Sequence, residues 1–152
     1  MRIDFRARVR PPSPGFVGPL AAALVLAASA APAEPQDPGS QRSVLHGVYT
    51  EAQADRGKET FEAECSTCHF HDEFQGTIWT ARWSGRSAGD ALEHIRATMP
   101  VDRPASLTRQ QYTDLIAYIF RLNEYPVGDD DLSPEPEELG RILIERPEGP
   151  RR

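Results

Sequence analysis

The chain has 152 residues, a formal net charge of −6 and 39% hydrophobic residues. This length is enough for one domain with additional terminal segments. The acidic balance argues against a nucleic-acid-binding protein, which normally carries a basic surface. Most of the 14 prolines lie towards the two ends of the chain, which predicts a folded middle between extended termini.

Residues 1–33 have the features of a secretory signal peptide. Four arginines precede an apolar run over residues 16–30, and two small-residue cleavage patterns follow, ending at Ala30 and Ala33. An uncleaved membrane anchor is the alternative. The run is shorter than the ~20 apolar residues that a spanning helix needs, and Pro19 interrupts it. We therefore expect export to the periplasm, with no stable membrane insertion after cleavage.

Removal of residues 1–33 changes the charge balance. The remaining chain has 13 basic and 22 acidic residues, a net charge of about −9. Such an excess keeps an exported protein soluble and also influences which partners approach it.

Residues 34–46 are expected to form a linker, and residues 47–126 a globular domain. The segment Thr50-Glu51-Ala52-Gln53 has the pattern of a capping box, in which two side chains bond to free backbone N–H groups at a helix start. It predicts a helix to about Glu64, with Gly57 and Phe61 four residues apart on one face.

Residues 65–69 read Cys65-Ser66-Thr67-Cys68-His69, the C-x-x-C-H pattern of covalent haem attachment. Each thiol forms a thioether with one vinyl group, and two intervening residues let a single turn of chain reach both. His69 then lies where it can bind the iron as an axial ligand. The sequence therefore predicts one covalently bound haem c and its iron.

Other uses of two cysteines fit less well. A thioredoxin-like redox pair needs a βαβ context, whereas the surrounding sequence predicts helix. A structural zinc site needs four ligands, and His71 and His94 do not supply a second closely spaced pair. The export signal supports haem attachment, because this reaction takes place outside the cytoplasm.

Residues 70–86 show no clear helical period, and we expect a loop that wraps the haem edge. The segment contains four large apolar residues, Phe74, Ile78, Trp79 and Trp83. Core packing of the tryptophans is as good an interpretation as a haem contact. Arg82 and Arg86 are candidates for neutralising the haem propionates, although a solvated role is the simpler alternative.

A second capping box, Ser87-Ala88-Gly89-Asp90, predicts a helix that ends near Thr98. Its apolar stripe leads to Met99, the one methionine outside the signal segment, and Pro100 stops the helix there. A thioether is a common second axial ligand of haem in electron carriers. His94, which lies off the stripe, and an open or other coordination site remain alternatives to Met99.

A third capping box, Thr108-Arg109-Gln110-Gln111, predicts a helix to about Asn123 with one apolar stripe. Residues 127–152 are acidic and proline-rich, and we expect an extended tail. An apolar patch at residues 142–144 interrupts this tail, either to fold back on the domain or to contact a partner.

Residues 47–126 resemble the class I cytochromes c. The resemblance rests on the attachment motif, on Met99-Pro100, and on the residues Gly57, Phe61, Asp114, Leu115, Ile116, Ala117 and Tyr118. It implies an all-α fold of three to four short helices around one covalent haem, with His69 and Met99 as ligands. It also implies that the first and last helices cross. Family members often orient the ligating histidine with a prolyl carbonyl, but no proline follows the motif before Pro100.

The function implied by the motif and the resemblance is electron transfer without enzymatic activity. We expect a periplasmic electron carrier whose redox partners are a dehydrogenase and an oxidase. Similarity to small bacterial cytochromes in the segments before the first helix and around Met99 indicates a quinoprotein-type dehydrogenase. The alternatives are a cytochrome subunit of such a dehydrogenase complex and a haem-based gas sensor.

Overall fold

The computed structural model describes residues 40–147, so the predicted signal peptide and residues 34–39 of the predicted linker lie outside the described residues. Five α-helices and one pair of very short strands follow each other along this part of the chain. Their bounds are β1 Arg42–Ser43, α1 Glu51–Glu64, α2 Gly76–Trp83, α3 Ala88–Thr98, α4 Arg109–Leu122, α5 Pro136–Gly140 and β2 Ile142–Leu143. The predominance of helices over strands confirms the all-α prediction. No helix among residues 40–147 combines the length and apolar character needed to cross a membrane.

Side-chain caps begin α1, α3 and α4 where the sequence predicts them. Ser87 and Thr108 form complete capping boxes at α3 and α4. Thr50 accepts a hydrogen bond from the backbone N–H of Gln53, but the Gln53 side chain does not return to the cap. The Gln53 side chain is fully buried, and its amide group instead donates to Asp114 and to the carbonyl of Leu132. A buried amide must find such partners inside the protein, so Gln53 links α1 to α4 and the tail.

Helices α1 and α4 cross at Gly57. A Cβ atom at this position would overlap the backbone carbonyl oxygen of Asp114 and lie 2.8 Å from the Cβ of Tyr118. Glycine therefore allows the two backbones to approach closely. One turn further along α1, the Phe61 ring lies 5.8 Å from the Tyr118 ring. This crossing is the one that the resemblance implies, and it fixes where α1 ends and the attachment motif begins.

The prediction of a loop over residues 70–86 is wrong. The segment forms a 3₁₀ helix at His71–Phe74 and then α2. Gly76 begins α2 with a φ of 64°, which glycine adopts readily, and its N–H donates to the Asn123 side chain at 2.9 Å. The indoles of Trp79 and Trp83, one turn apart, are buried on the inner face of α2. Tertiary contacts therefore stabilise a helix that the local sequence pattern does not reveal.

The tail is not extended throughout. It contains α5, and the apolar patch folds back: Ile142 and Ile144 are buried, and β2 pairs with β1 in parallel register. The N–H of Ile144 donates to the carbonyl of Arg86 at 2.8 Å. The hydroxyl of Tyr125 donates to the carbonyl of Glu145 at 2.6 Å. The C-terminal segment thus closes the side of the domain next to α3.

Candidate functional site

A cavity of about 880 Å³ opens between the end of α1, α2, the end of α3 and the inner face of α4. Cofactor pockets in proteins commonly have volumes of about 300–1,000 Å³. The walls carry aromatic and aliphatic side chains, among them Phe74, Trp79, Trp83, Ile95 and Leu115. All four predicted site residues, Cys65, Cys68, His69 and Met99, also line this cavity.

The attachment motif directly continues α1. The N–H of Cys65 donates to the carbonyl of Phe61 at 2.9 Å, and the N–H groups of Cys68 and His69 both donate to the carbonyl of Cys65 at 3.0 Å. This tight turn brings both sulfur atoms and the imidazole to the cavity wall. Both cysteines are free thiols, Cys65 half-buried and Cys68 exposed. Burial, with a smaller contribution from Glu64, raises the pKa of Cys65 to about 11.

The imidazole of His69 is held from one side. Its Nδ1 lies 3.0 Å from Oε2 of Glu73, and the other carboxylate oxygen of Glu73 accepts the N–H of Phe70 at 2.9 Å. The hydrogen bonds from His69 and Phe70 lower the pKa of Glu73. The ring of Phe74 lies 5.4 Å from the imidazole in an edge-to-face arrangement. Glu73 is a site residue that the sequence analysis missed, because its spacing of four residues from His69 predicts a contact only where the intervening chain turns back, as it does in the 3₁₀ helix at His71–Phe74.

Met99 caps the C-terminus of α3, and its main chain is fixed at two points. Its N–H donates to the carbonyl of Ile95 at 2.8 Å. Its carbonyl accepts the Tyr112 hydroxyl of α4, also at 2.8 Å. The side chain is half-buried in the cavity lining. The position of Met99 is therefore set by both α3 and α4.

The histidines differ in their access to the cavity. His94 lies in its lining together with Met99. The Arg82 guanidinium lies 2.7 Å from Nε2 of His94, and the Trp83 ring lies 5.6 Å from its imidazole. His71 does not line the cavity, and its Nδ1 lies 2.8 Å from the Tyr118 hydroxyl. His46 is exposed and lies outside the cavity lining.

The two arginines considered for the propionates occupy different places. Arg82 lines the cavity beside His94. Arg86 does not line it, and its guanidinium lies over the Trp83 ring, 4.8 Å from the ring centre. Of the two, Arg82 alone offers a cationic donor to an anionic group within the cavity.

The donor set in the cavity fits a covalently attached haem. Two thiols at the motif spacing, an imidazole and a thioether line the same cavity, whose remaining walls are largely apolar. No group of three or more His, Cys, Asp or Glu side chains that could hold a metal ion occurs within residues 40–147. The residues present thus fit haem attachment and ligation, and the aliphatic and aromatic side chains of the walls would cover the porphyrin.

Comparison with protein families gives a match to the model of cytochrome c oxidase, cbb3-type, subunit III, over residues 52–119. The match runs from the first turn of α1 to the last turn of α4 and includes all four predicted site residues. Neither curated proteins nor solved structures gave a match. Members of the matched family carry covalently attached haem c, and Cys65 and Cys68 lie in the haem-binding region. Residues 52–119 are therefore similar to c-type cytochromes, and this match supports a class I cytochrome c domain with a haem electron-transfer role.

Proposed function

We propose that the protein is a periplasmic electron carrier with one haem c, joined to Cys65 and Cys68 and ligated by His69 and Met99. When bound, the haem supplies an iron that takes up and releases one electron. One observation carries the proposal: both thiols, the imidazole and the thioether line a single apolar cavity of cofactor size. The proposed domain is residues 47–126, between a linker at 34–46 and a C-terminal segment at 127–152.

The surroundings of the candidate ligands support this assignment. With Nδ1 of His69 bonded to Glu73, Nε2 is the nitrogen left for iron. Tyr112 fixes the main chain of Met99, which limits the positions open to its sulfur. His94 is the less suitable second ligand, because its Nε2 already accepts a hydrogen bond from Arg82.

Two protein ligands would leave no open coordination position, which favours a carrier over an enzyme or a gas sensor. We expect no change in the visible spectrum when carbon monoxide is added to the reduced holoprotein at neutral pH. Reduction and reoxidation should be reversible and involve one electron for each chain. Rapid carbon monoxide binding by the wild-type protein would contradict the proposal and favour the sensor.

A dehydrogenase that donates electrons and a terminal oxidase that accepts them are the proposed partners. The matched family model describes a subunit of an oxidase, which supports a place near the acceptor end of an electron-transfer chain. The charge of about −9 outside residues 1–33 favours partners with basic docking surfaces, because opposite charges accelerate encounter. Seven acidic and no basic residues lie between 124 and 138.

The proposed steering by charge predicts opposite salt effects for two small oxidants. Oxidation of the reduced protein by tris(phenanthroline)cobalt(III), a cation, should slow as salt is raised. Oxidation by ferricyanide, an anion, should accelerate, because the screening length shortens to about 10 Å at 0.1 M. Stopped-flow rates over a salt series measure both. Rates that are flat for both reagents would exclude steering by the charge of this protein.

A further inference from the structure

A ligating histidine needs a second contact that fixes its ring and its tautomer. Such a histidine usually donates its other N–H to a carboxylate, a carbonyl or water. The sequence does not provide the prolyl carbonyl that family members often use, since the residues after His69 are Phe70-His71-Asp72 and no proline occurs before Pro100. The acceptor for His69 has to come from elsewhere in the fold.

The 3₁₀ helix at His71–Phe74 brings the Glu73 side chain back to the attachment motif. Its Oε2 lies 3.0 Å from Nδ1 of His69, and its Oε1 accepts the N–H of Phe70 at 2.9 Å. The carboxylate is therefore held at both oxygens. It meets the imidazole in the direction of a ring N–H, while the Phe74 ring lies against the imidazole at 5.4 Å.

No other side chain in the described part of the chain makes a hydrogen bond to the His69 ring. The neighbouring imidazole of His71 is directed elsewhere, with Nδ1 at 2.8 Å from the Tyr118 hydroxyl. Asp72, the adjacent carboxylate, is exposed and makes no hydrogen bond or ion pair with His69. Glu73 is thus the group that determines which nitrogen of His69 carries the proton.

We propose that Glu73 is the positioning residue of the axial histidine, in place of the usual backbone carbonyl, and that it lowers the reduction potential of the protein. This inference rests on the proposed role of His69 as a ligand. A carboxylate that accepts the Nδ1 proton makes the imidazole more basic. A more basic ligand and a nearby negative charge both stabilise the oxidised form over the reduced form.

The test compares Glu73→Gln and Glu73→Ala holoproteins with the wild type by voltammetry. Glutamine keeps a neutral acceptor and alanine removes it, so the potential should rise in the order Glu, Gln, Ala. For Glu73→Ala we expect about a tenfold increase in the ratio of reduced to oxidised protein at a fixed solution potential, equivalent to about 59 mV. The proton NMR signals of the His69 ring should shift in the same order.

Asp72→Asn is the matched control, because it removes the same charge from the same 3₁₀ helix without touching His69. It should move the potential much less than either Glu73 variant. Equal shifts in Asp72→Asn and Glu73→Gln, or no shift in Glu73→Ala, would overturn the inference. If the contact of Glu73 with Phe70 were purely structural, the Glu73 variants would change the unfolding midpoint without showing the ordered rise in potential.

The same samples separate this inference from the proposed function. A wild-type protein without covalent haem, or without histidine ligation, would refute the proposed function itself. If the wild-type protein has both features but the Glu73 variants keep its reduction potential, only the positioning role is refuted.

Discussion

Replacing Met99 with alanine is expected to lower the reduction potential by on the order of 0.2 V, part of the range of about 0.8 V that axial ligands span. A thioether ligand raises the potential, so its loss favours the oxidised form. The weak near-infrared band from sulfur to iron(III) should disappear. The end of α3 should persist, because Tyr112 binds the main-chain carbonyl of residue 99, which alanine retains. Voltammetry and the absorption spectrum measure both changes.

His94→Ala is the control for this assignment, since His94 lines the same cavity. It should retain the near-infrared band and shift the potential much less than Met99→Ala does. Reduced Met99→Ala protein should also bind carbon monoxide, because an open coordination position replaces the thioether. Absence of the band from the wild-type protein, together with a larger shift in potential for His94→Ala than for Met99→Ala, would show that the second ligand is misassigned.

Three helices could be predicted from the sequence because their starts are encoded locally. Thr50, Ser87 and Thr108 each accept a hydrogen bond from a backbone N–H three residues later, and this contact depends only on neighbouring residues. The attachment motif is equally local, since one turn of chain contains both cysteines and the histidine. These local features set where α1, α3 and α4 begin, and the attachment motif forms one wall of the cavity.

Helix α2 could not be predicted, because the contacts that stabilise it are distant in sequence. Its first N–H is bound by Asn123, 47 residues away. Its apolar face is recognisable only once the cavity and α4 are in place, since Trp79 packs edge-to-face on Phe120 at 6.4 Å. A segment of eight residues is also too short for a helical period to be evident.

The role of Glu73 was hidden for a related reason. The spacing of four residues from His69 suggests a contact only if the intervening chain turns back, and residues 70–86 gave no periodic signal. The 3₁₀ helix at His71–Phe74 provides that turn. The missing proline after the motif was visible in the sequence, but the acceptor that replaces it became identifiable only from the fold.

Replacing both Cys65 and Cys68 with alanine is expected to abolish covalent haem attachment and, with it, most of the folded structure. Acid–acetone extraction should leave the colour with the wild-type protein and remove all haem from the double variant. Small domains have little apolar core to spare, and the wild-type haem would fill a cavity of about 880 Å³ in this one. Folding and cofactor binding should therefore be coupled, as in small metal-binding domains. Far-ultraviolet circular dichroism should show a large loss of helix.

Ser66→Ala provides the matched control, because Ser66 lies between the two cysteines and its hydroxyl donates to the carbonyl of Glu62 and not to a cavity residue. It changes the motif loop without removing a thiol, so it should keep both the covalent colour and the helix content. Each single cysteine variant retains one thioether and should hold haem through extraction with reduced stability. Colour that stays with the double variant would contradict attachment at these residues. Full helix content in a haem-free double variant would instead contradict the coupling of folding to the cofactor.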